Sequence, residues 1–180
     1  MNRKQNWMMI ALFFIILIIL LGYSRFNRDE SGEKDIFLAE YNFAISLPEG
    51  WKELADTNFD LQLTNGKAYL SVFVYFKNEL AEYQSPLDVH EEHIEELFSG
   101  RENVRKLKEE NIKELPDKEI YSVLYSAEYK GVENYYYCNL LDFKEGSDIF
   151  SWIVITTLPS YFEENNTLLD EIIETVKWKK

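Results

Sequence analysis

The stretch His90-Glu91-Glu92-His93 comes nearest in residue type to a reaction centre. A zinc-protease helix needs His-Glu-x-x-His, because histidines four apart share one helical face and both reach the metal. Here the separation is three, and the motif fails. Histidines at that spacing can still join a carboxylate on a metal ion, so a metal-binding accessory domain stands as an alternative reading. Against it, His90 falls at helical spacing with Leu87, Ile94, Leu97 and Phe98, on an apolar stripe that His93 flanks. Asp142, Glu145 and Asp148 gather at one turn, without the ligand spacing of a calcium loop. Cys138 is the only cysteine, which excludes an intrachain disulfide and a cysteine zinc site. It sits in an alternating run and is expected to pack in a strand. The seven glycines are scattered, so there is no glycine-rich phosphate loop, and no Gly-x-Ser-x-Gly elbow occurs. No catalytic residue, metal ligand or cofactor site is therefore assigned. A secreted enzyme, with a site assembled from residues distant in sequence, is the less favoured alternative.

Tyrosine is the most distinctive side chain. Tyr121, Tyr125, Tyr129, Tyr135 and Tyr137 fall in two alternating runs and are expected to line one sheet face. A tyrosine offers contact area with a polar tip, as at interfaces. Two readings stay open for the set: a core layer beneath a helix, and a binding face.

The elements that must position these residues are legible as periodicities. Tyr41 to Leu47 alternates, with Phe43, Ile45 and Leu47 on one side, and Pro48-Glu49-Gly50-Trp51 turns the chain. Phe59 to Leu63 alternates again. Asn65-Gly66 predicts a type I′ hairpin into a strand from Ala68 to Phe76 that is apolar on both faces. Ser85-Pro86 caps and opens a helix that Gly100 stops. Residues 101–118 are highly charged and read as a weak strand and a loop. Three strands in meander order follow, Glu119 to Tyr129, Asn134 to Phe143 and Ile149 to Thr157, with turns at Lys130-Gly131 and at 144–147. After Pro159, the stripe Leu168, Leu169, Ile172, Ile173 and Val176 predicts a last helix, and Trp178 a short strand or turn. Two helices and about six strands result, an α+β domain whose central antiparallel sheet is flanked by helices.

Composition sets the surroundings. Met8 to Gly22 carries no charge, proline or polar side chain, and Trp7 and Tyr23 bracket it like interfacial aromatics. We expect a short basic N-terminus over 1–7, a transmembrane helix or signal anchor over 8–23, a flexible tether over 24–35 and one α+β domain over 36–180. The lipid bilayer is then a partner through Met8 to Gly22. Orientation follows weakly from Arg3 and Lys4 before the run against Arg25 and Arg28 after it, and points to a single-pass protein with an external domain. Gly22 and Ser24 also fit a cut after Ser24, which would make the product secreted. Residues 1–26 hold Arg3, Lys4 and Arg25 and no acid, so the remainder sets 16 basic against 32 acidic residues. Such a domain is repelled by nucleic acid, and no nucleic-acid partner is expected.

One stretch carries a family likeness. Tyr41-Asn42-Phe43-Ala44-Ile45-Ser46-Leu47-Pro48-Glu49-Gly50-Trp51 resembles the opening strand and Pro-x-Gly-Trp turn of PsbP-like domains. The order of elements from Tyr41 to Trp178 is similar too. That superfamily includes a photosystem extrinsic subunit, a Ran-binding nuclear import factor and a bacterial envelope protein, DcrB. The resemblance implies a central antiparallel sheet between helices, and no residue role carries over, because these proteins bind different things. Many bacterial members are lipid-anchored through a cysteine that this chain lacks. The expectation is a noncatalytic, membrane-anchored, extracytoplasmic domain that binds an envelope protein or ligand.

Overall fold

A computed structural model describes residues 34–179 apart from Asp56, Tyr83 and Glu145. The expected membrane segment at 8–23 and most of the expected tether lie outside the described residues. No helix among those residues is long and apolar enough to cross a membrane. In chain order the elements are β1 (Lys34–Leu38), β2 (Phe43–Leu47), β3 (Lys52–Glu53), β4 (Leu61–Thr64), β5 (Ala68–Phe76), α1 (Pro86–Phe98), β6 (Glu102–Glu114), β7 (Lys118–Tyr129), β8 (Val132–Phe143), β9 (Ile149–Thr157), α2 (Pro159–Thr175) and β10 (Lys177–Trp178). Seven strands form one antiparallel sheet in the order β3-β4-β5-β9-β8-β7-β6, and β1-β2-β10 form a second.

Sheet parity sorts the core. Leu63 pairs with Leu70, Leu70 with Ile155 and Val72 with Ile153, so these side chains share one face. That face packs on Phe162, Leu169, Ile172 and Ile173 of α2 and on Phe43, Ile45 and Leu47 of β2. On the other face, Phe73 pairs with Trp152 and Tyr75 with Phe150, beneath Val89, Ile94, Leu97 and Phe98 of α1. The fold is therefore sheet-dominated α+β. A helix lies on each face, as expected, but α2 shares its face with the small sheet, whose β2 buries Phe43, Ile45 and Leu47 almost completely.

Local chemistry starts and stops the elements. Ser85 and Asp88 form a reciprocal capping box, with Ser85 N donating to Asp88 Oδ2 (2.6 Å) and Asp88 N to Ser85 Oγ (3.3 Å). The β4–β5 turn is not the expected type I′. Gly66 has φ +83°, but Asn65 does not have positive φ. Asn65 acts through its side chain, its Oδ1 accepting from the backbone N–H of Lys67 and Ala68, both 2.9 Å. The two-residue turn with both φ positive lies at Lys130 (+53°) and Gly131 (+76°), closing Tyr129 on Val132.

Residues 101–118 differ most from the expectation. A 13-residue edge strand, β6, fills most of them, with every residue exposed. A strand with neither face covered has no reason to alternate, which removes the usual signal. Its charges and three register irregularities against β7 are what protects an open edge from pairing with other chains. Beyond it, Lys118 is almost fully buried at the start of β7, which its charge did not foretell.

Candidate functional site: an aromatic groove at one end of the sheet

Strand parity first divides the five expected tyrosines. Tyr125 pairs with Tyr136, while Tyr135 pairs with Ser126 and Tyr137 with Leu124. Tyr121, Tyr125 and Tyr129 thus lie on the α1 side, and Tyr135 and Tyr137 on the α2 side. They do not line one face. Tyr121 donates to Glu119 Oε2 at 2.8 Å, and Tyr125 packs on Phe98 with ring centres 4.9 Å apart. Tyr135 and Tyr137 meet Phe162 edge-on at 5.8 and 5.7 Å. Tyr137 donates to Asp170 Oδ1 at 2.7 Å; burial, with that carboxylate, pushes its pKa above the usual phenol range. Tyr137 also borders two smaller clefts beside α2, and Tyr129 reaches a larger opening.

That opening is a groove of about 630 Å³ at one end of the large sheet. Four tyrosines line it: Tyr69 of β5, Tyr129 of β7, Tyr136 of β8 and Tyr161 of α2. Arg101, just after α1, and Lys67, in the β4–β5 turn, add positive charge. Leu158 and Glu164 complete the wall beside the start of α2. Tyr69, Tyr129 and Leu158 are exposed by 49%, 51% and 49%, so half of each apolar side chain is open to solvent in one place. Sequence reading missed Tyr69, Tyr136, Tyr161 and Arg101. One signal was present: a two-residue turn at Lys130-Gly131 pairs odd residues of β7 with even residues of β8, which puts Tyr136 beside Tyr125 rather than Tyr135 or Tyr137.

The walls are tied together. Asn65 Nδ2 donates to Tyr161 Oη at 2.8 Å, linking the β4–β5 turn to α2. Thr157 Oγ1 donates to Lys67 O at 2.9 Å. Gly100 (φ +79°) ends α1, and Arg101 N donates to Phe98 O at 3.1 Å, which turns the Arg101 side chain onto the sheet. There its guanidinium lies 5.0 Å from the centre of Tyr136 and 5.8 Å from that of Tyr129, and Nε donates to Tyr136 Oη at 3.0 Å. Lys67 stands 5.8 Å over Tyr161, and Lys130 5.1 Å over Tyr129. These are cation–π distances. The chemistry of the groove is that of holding a ligand: flat apolar walls, phenol hydroxyls and fixed cations.

The other sequence candidates are built into the packing. His90 is buried, and burial pushes its pKa down to about 4. His93 stacks on Trp152 (4.7 Å) and Phe73 (5.1 Å) and is hydrogen-bonded to the Tyr75 hydroxyl. Asp142, in the acidic turn, pairs with Lys77 Nζ at 2.6 Å, and the Lys77 ammonium also donates to Phe143 O at 2.8 Å. Cys138 is fully buried, which pushes its thiol far up. Among the described residues, no group of three or more His, Cys, Asp or Glu is placed to hold a metal ion.

No protein-family model matches the chain, and no characterised protein matches it at the level of sequence. Solved structures match it in shape. The cyanobacterial PsbP of Synechocystis superposes with a TM-score of 0.59 at 10% identity, over 82% of this chain and 92% of its own. LpqN of Mycobacterium tuberculosis, involved in cell envelope biogenesis, gives 0.58 at 10% identity, over 81% and 89%. The Ran-binding protein Mog1p of Saccharomyces cerevisiae gives 0.54 at 13% identity, over 81% and 95%. At such identities the likeness is one of fold, and it covers nearly the whole described region: this is a domain of the PsbP-like fold.

Proposed function

We propose that the chain is a noncatalytic binding domain, held at a membrane by its apolar N-terminal segment, that engages an envelope protein on the extracytoplasmic side. One observation carries the reading: three half-exposed apolar side chains, Tyr69, Tyr129 and Leu158, converge on one groove whose walls are tied together by hydrogen bonds. Exposed aromatic area on a rigid support is what interface cores are made of. The groove residues offer phenols, two cations and one carboxylate, a set suited to grip. The structural neighbours support the reading in kind. LpqN is described as taking part in envelope biogenesis and Mog1p as binding Ran. The apolar run from Met8 to Gly22 supports the membrane setting.

The full-length protein carrying a photo-crosslinking residue at Leu158, irradiated in its own membranes, tests the site. We expect a discrete protein adduct from that position and none from Ile112, an exposed position on β6. Equal adducts from both positions, or none from either, would remove the groove as the binding site. Protease added to intact cells should digest the domain, as an external location requires.

A further inference from the structure

We infer that the groove takes an acidic peptide segment, with a carboxylate bound by Arg101 and apolar side chains laid on the tyrosine walls. The inference rests on the groove being the binding site and adds the charge and class of its occupant.

The distribution of cations motivates it. The chain has 32 acidic against 19 basic residues, so a surface cation has many carboxylates to meet. Lys77 meets Asp142, Arg105 meets Glu133, Lys106 meets Glu110, Lys113 meets Glu174 and Lys144 meets Glu114. Lys34, Lys52, Lys108, Lys177 and Lys179 are in no ion pair among the described residues, and neither are Arg101, Lys67 and Lys130, which come together at one place. These last three lie instead against tyrosine rings of the groove or its rim. The acids of the neighbouring hairpin are turned away. Glu128 pairs with Glu133 on the sheet face opposite Tyr129, and Glu133 is held by Arg105 at 2.7 Å. Glu164 is the one acid among the lining residues. In a strongly acidic domain, a groove that sets Arg101, Lys67 and the rim Lys130 against one carboxylate is complementary to an anion.

The guanidinium is also set for a carboxylate. Arg101 uses Nε on Tyr136 Oη, and the two terminal nitrogens have no acceptor among the described residues. A ring-stacked guanidinium with its fork open binds a carboxylate through two parallel hydrogen bonds. The volume, about 630 Å³, lies within the roughly 300–1,000 Å³ of small-ligand sites, room for a few residues of extended chain. Leu158 and the ring of Tyr69 at the mouth suit aliphatic or aromatic side chains better than the hydroxyls of a sugar. A peptide that alternates acidic and apolar residues satisfies both demands.

The test uses the full-length protein in nanodiscs of zwitterionic lipid and a fluorescent peptide of alternating glutamate and leucine. Counterparts replace each glutamate by glutamine or by lysine. The glutamate peptide should bind roughly tenfold or more tightly than the glutamine one, the scale of a charge-assisted bidentate contact, and the lysine peptide should not bind. Arg101→Gln should erase most of that preference. Leu158→Glu, at an exposed position that does not test the fold, should weaken the glutamate peptide selectively. Equal binding of the glutamate and glutamine peptides overturns the inference, as does a preference that survives both substitutions, or binding of a polyuronate in place of any peptide. If the crosslink at Leu158 captures a protein while the two peptides bind alike, the groove is the site and only its charge preference is wrong. If neither occurs, both readings fall.

Discussion

Replacing Lys118 by methionine tests how the end of α2 is held. The Lys118 side chain is 1% exposed, and its ammonium donates to Val176 O (2.7 Å), Glu174 O (3.1 Å) and Asp117 Oδ2 (3.3 Å). The two carbonyls belong to the last turn of α2 and its cap, where a helix leaves acceptors without partners and carries partial negative charge. Lys118→Met keeps the stem and removes three donors and the charge. Each acceptor left dry costs about 1–3 kcal/mol, and the relief of a desolvated ammonium offsets part of that. A net loss of about 3 kcal/mol follows, comparable to breaking a buried ion pair. With a urea slope of about 2 kcal/mol/M, the midpoint should fall by about 1.5 M, followed by tryptophan fluorescence. The dependence on pH makes the cause specific. Burial, opposed by Asp117, lowers the Lys118 pKa in the folded protein. The unfolded chain then holds the proton more tightly, so the wild type gains stability as pH rises toward the ordinary lysine value near 10.5. The gap between wild type and Lys118→Met should widen over that alkaline window. A variant as stable as the wild type would falsify the capping role and make Lys118 a desolvation cost that the fold merely tolerates, whereas a gap that narrows with pH would mean that the acceptors outweigh burial and raise the Lys118 pKa.

Three further outcomes follow from individual side chains. His90, depressed to about 4 by burial, contributes stability that is complete above the unfolded value of 6.5 and lost as pH falls toward 4. The full effect is about 3 kcal/mol, and His90→Leu should flatten the stability–pH curve in that window by a comparable amount. Gly66 stands at φ +83° with open space where a Cβ would go. Gly66→Ala should therefore cost about 1–2 kcal/mol through backbone strain alone, read by urea unfolding. Cys138 is shielded and its thiol is held protonated, so a disulfide reagent should label it only at the rate of global unfolding. Rapid labelling under native conditions would mean that β8 opens locally.

The amino-acid sequence alone specified the local pieces. Alternation in β2, β5, β7, β8 and β9 is a consequence of a strand with at least one covered face, so it is written in consecutive residues. The capping box at Ser85 and the prolines opening α1 and α2 are likewise short-range. From the same stretch, Tyr41 to Trp51, came the likeness to the PsbP-like fold. β6 escaped because an uncovered strand need not alternate. The Asn65-Gly66 turn was placed correctly and typed wrongly, since Asn65 bonds through its side chain rather than taking a positive φ.

The tyrosine groove now stands apart from the tyrosine face that the sequence suggested. Strand parity sends Tyr135 and Tyr137 to α2 and brings in Tyr136, and the β5–β9 pairing carries Tyr69 to the same end of the sheet. Arg101, just after α1, and Tyr161, in α2, arrive from opposite faces. Periodicity reports which way a side chain points from its own strand, because alternation is a property of neighbouring peptide units. Which distant side chains share an opening depends on the register of long-range pairs, and only burying the whole core at once selects that register. The sequence determined the alternating strands, the caps and the acidic surface. Tertiary structure decided that four tyrosines and an arginine face one groove.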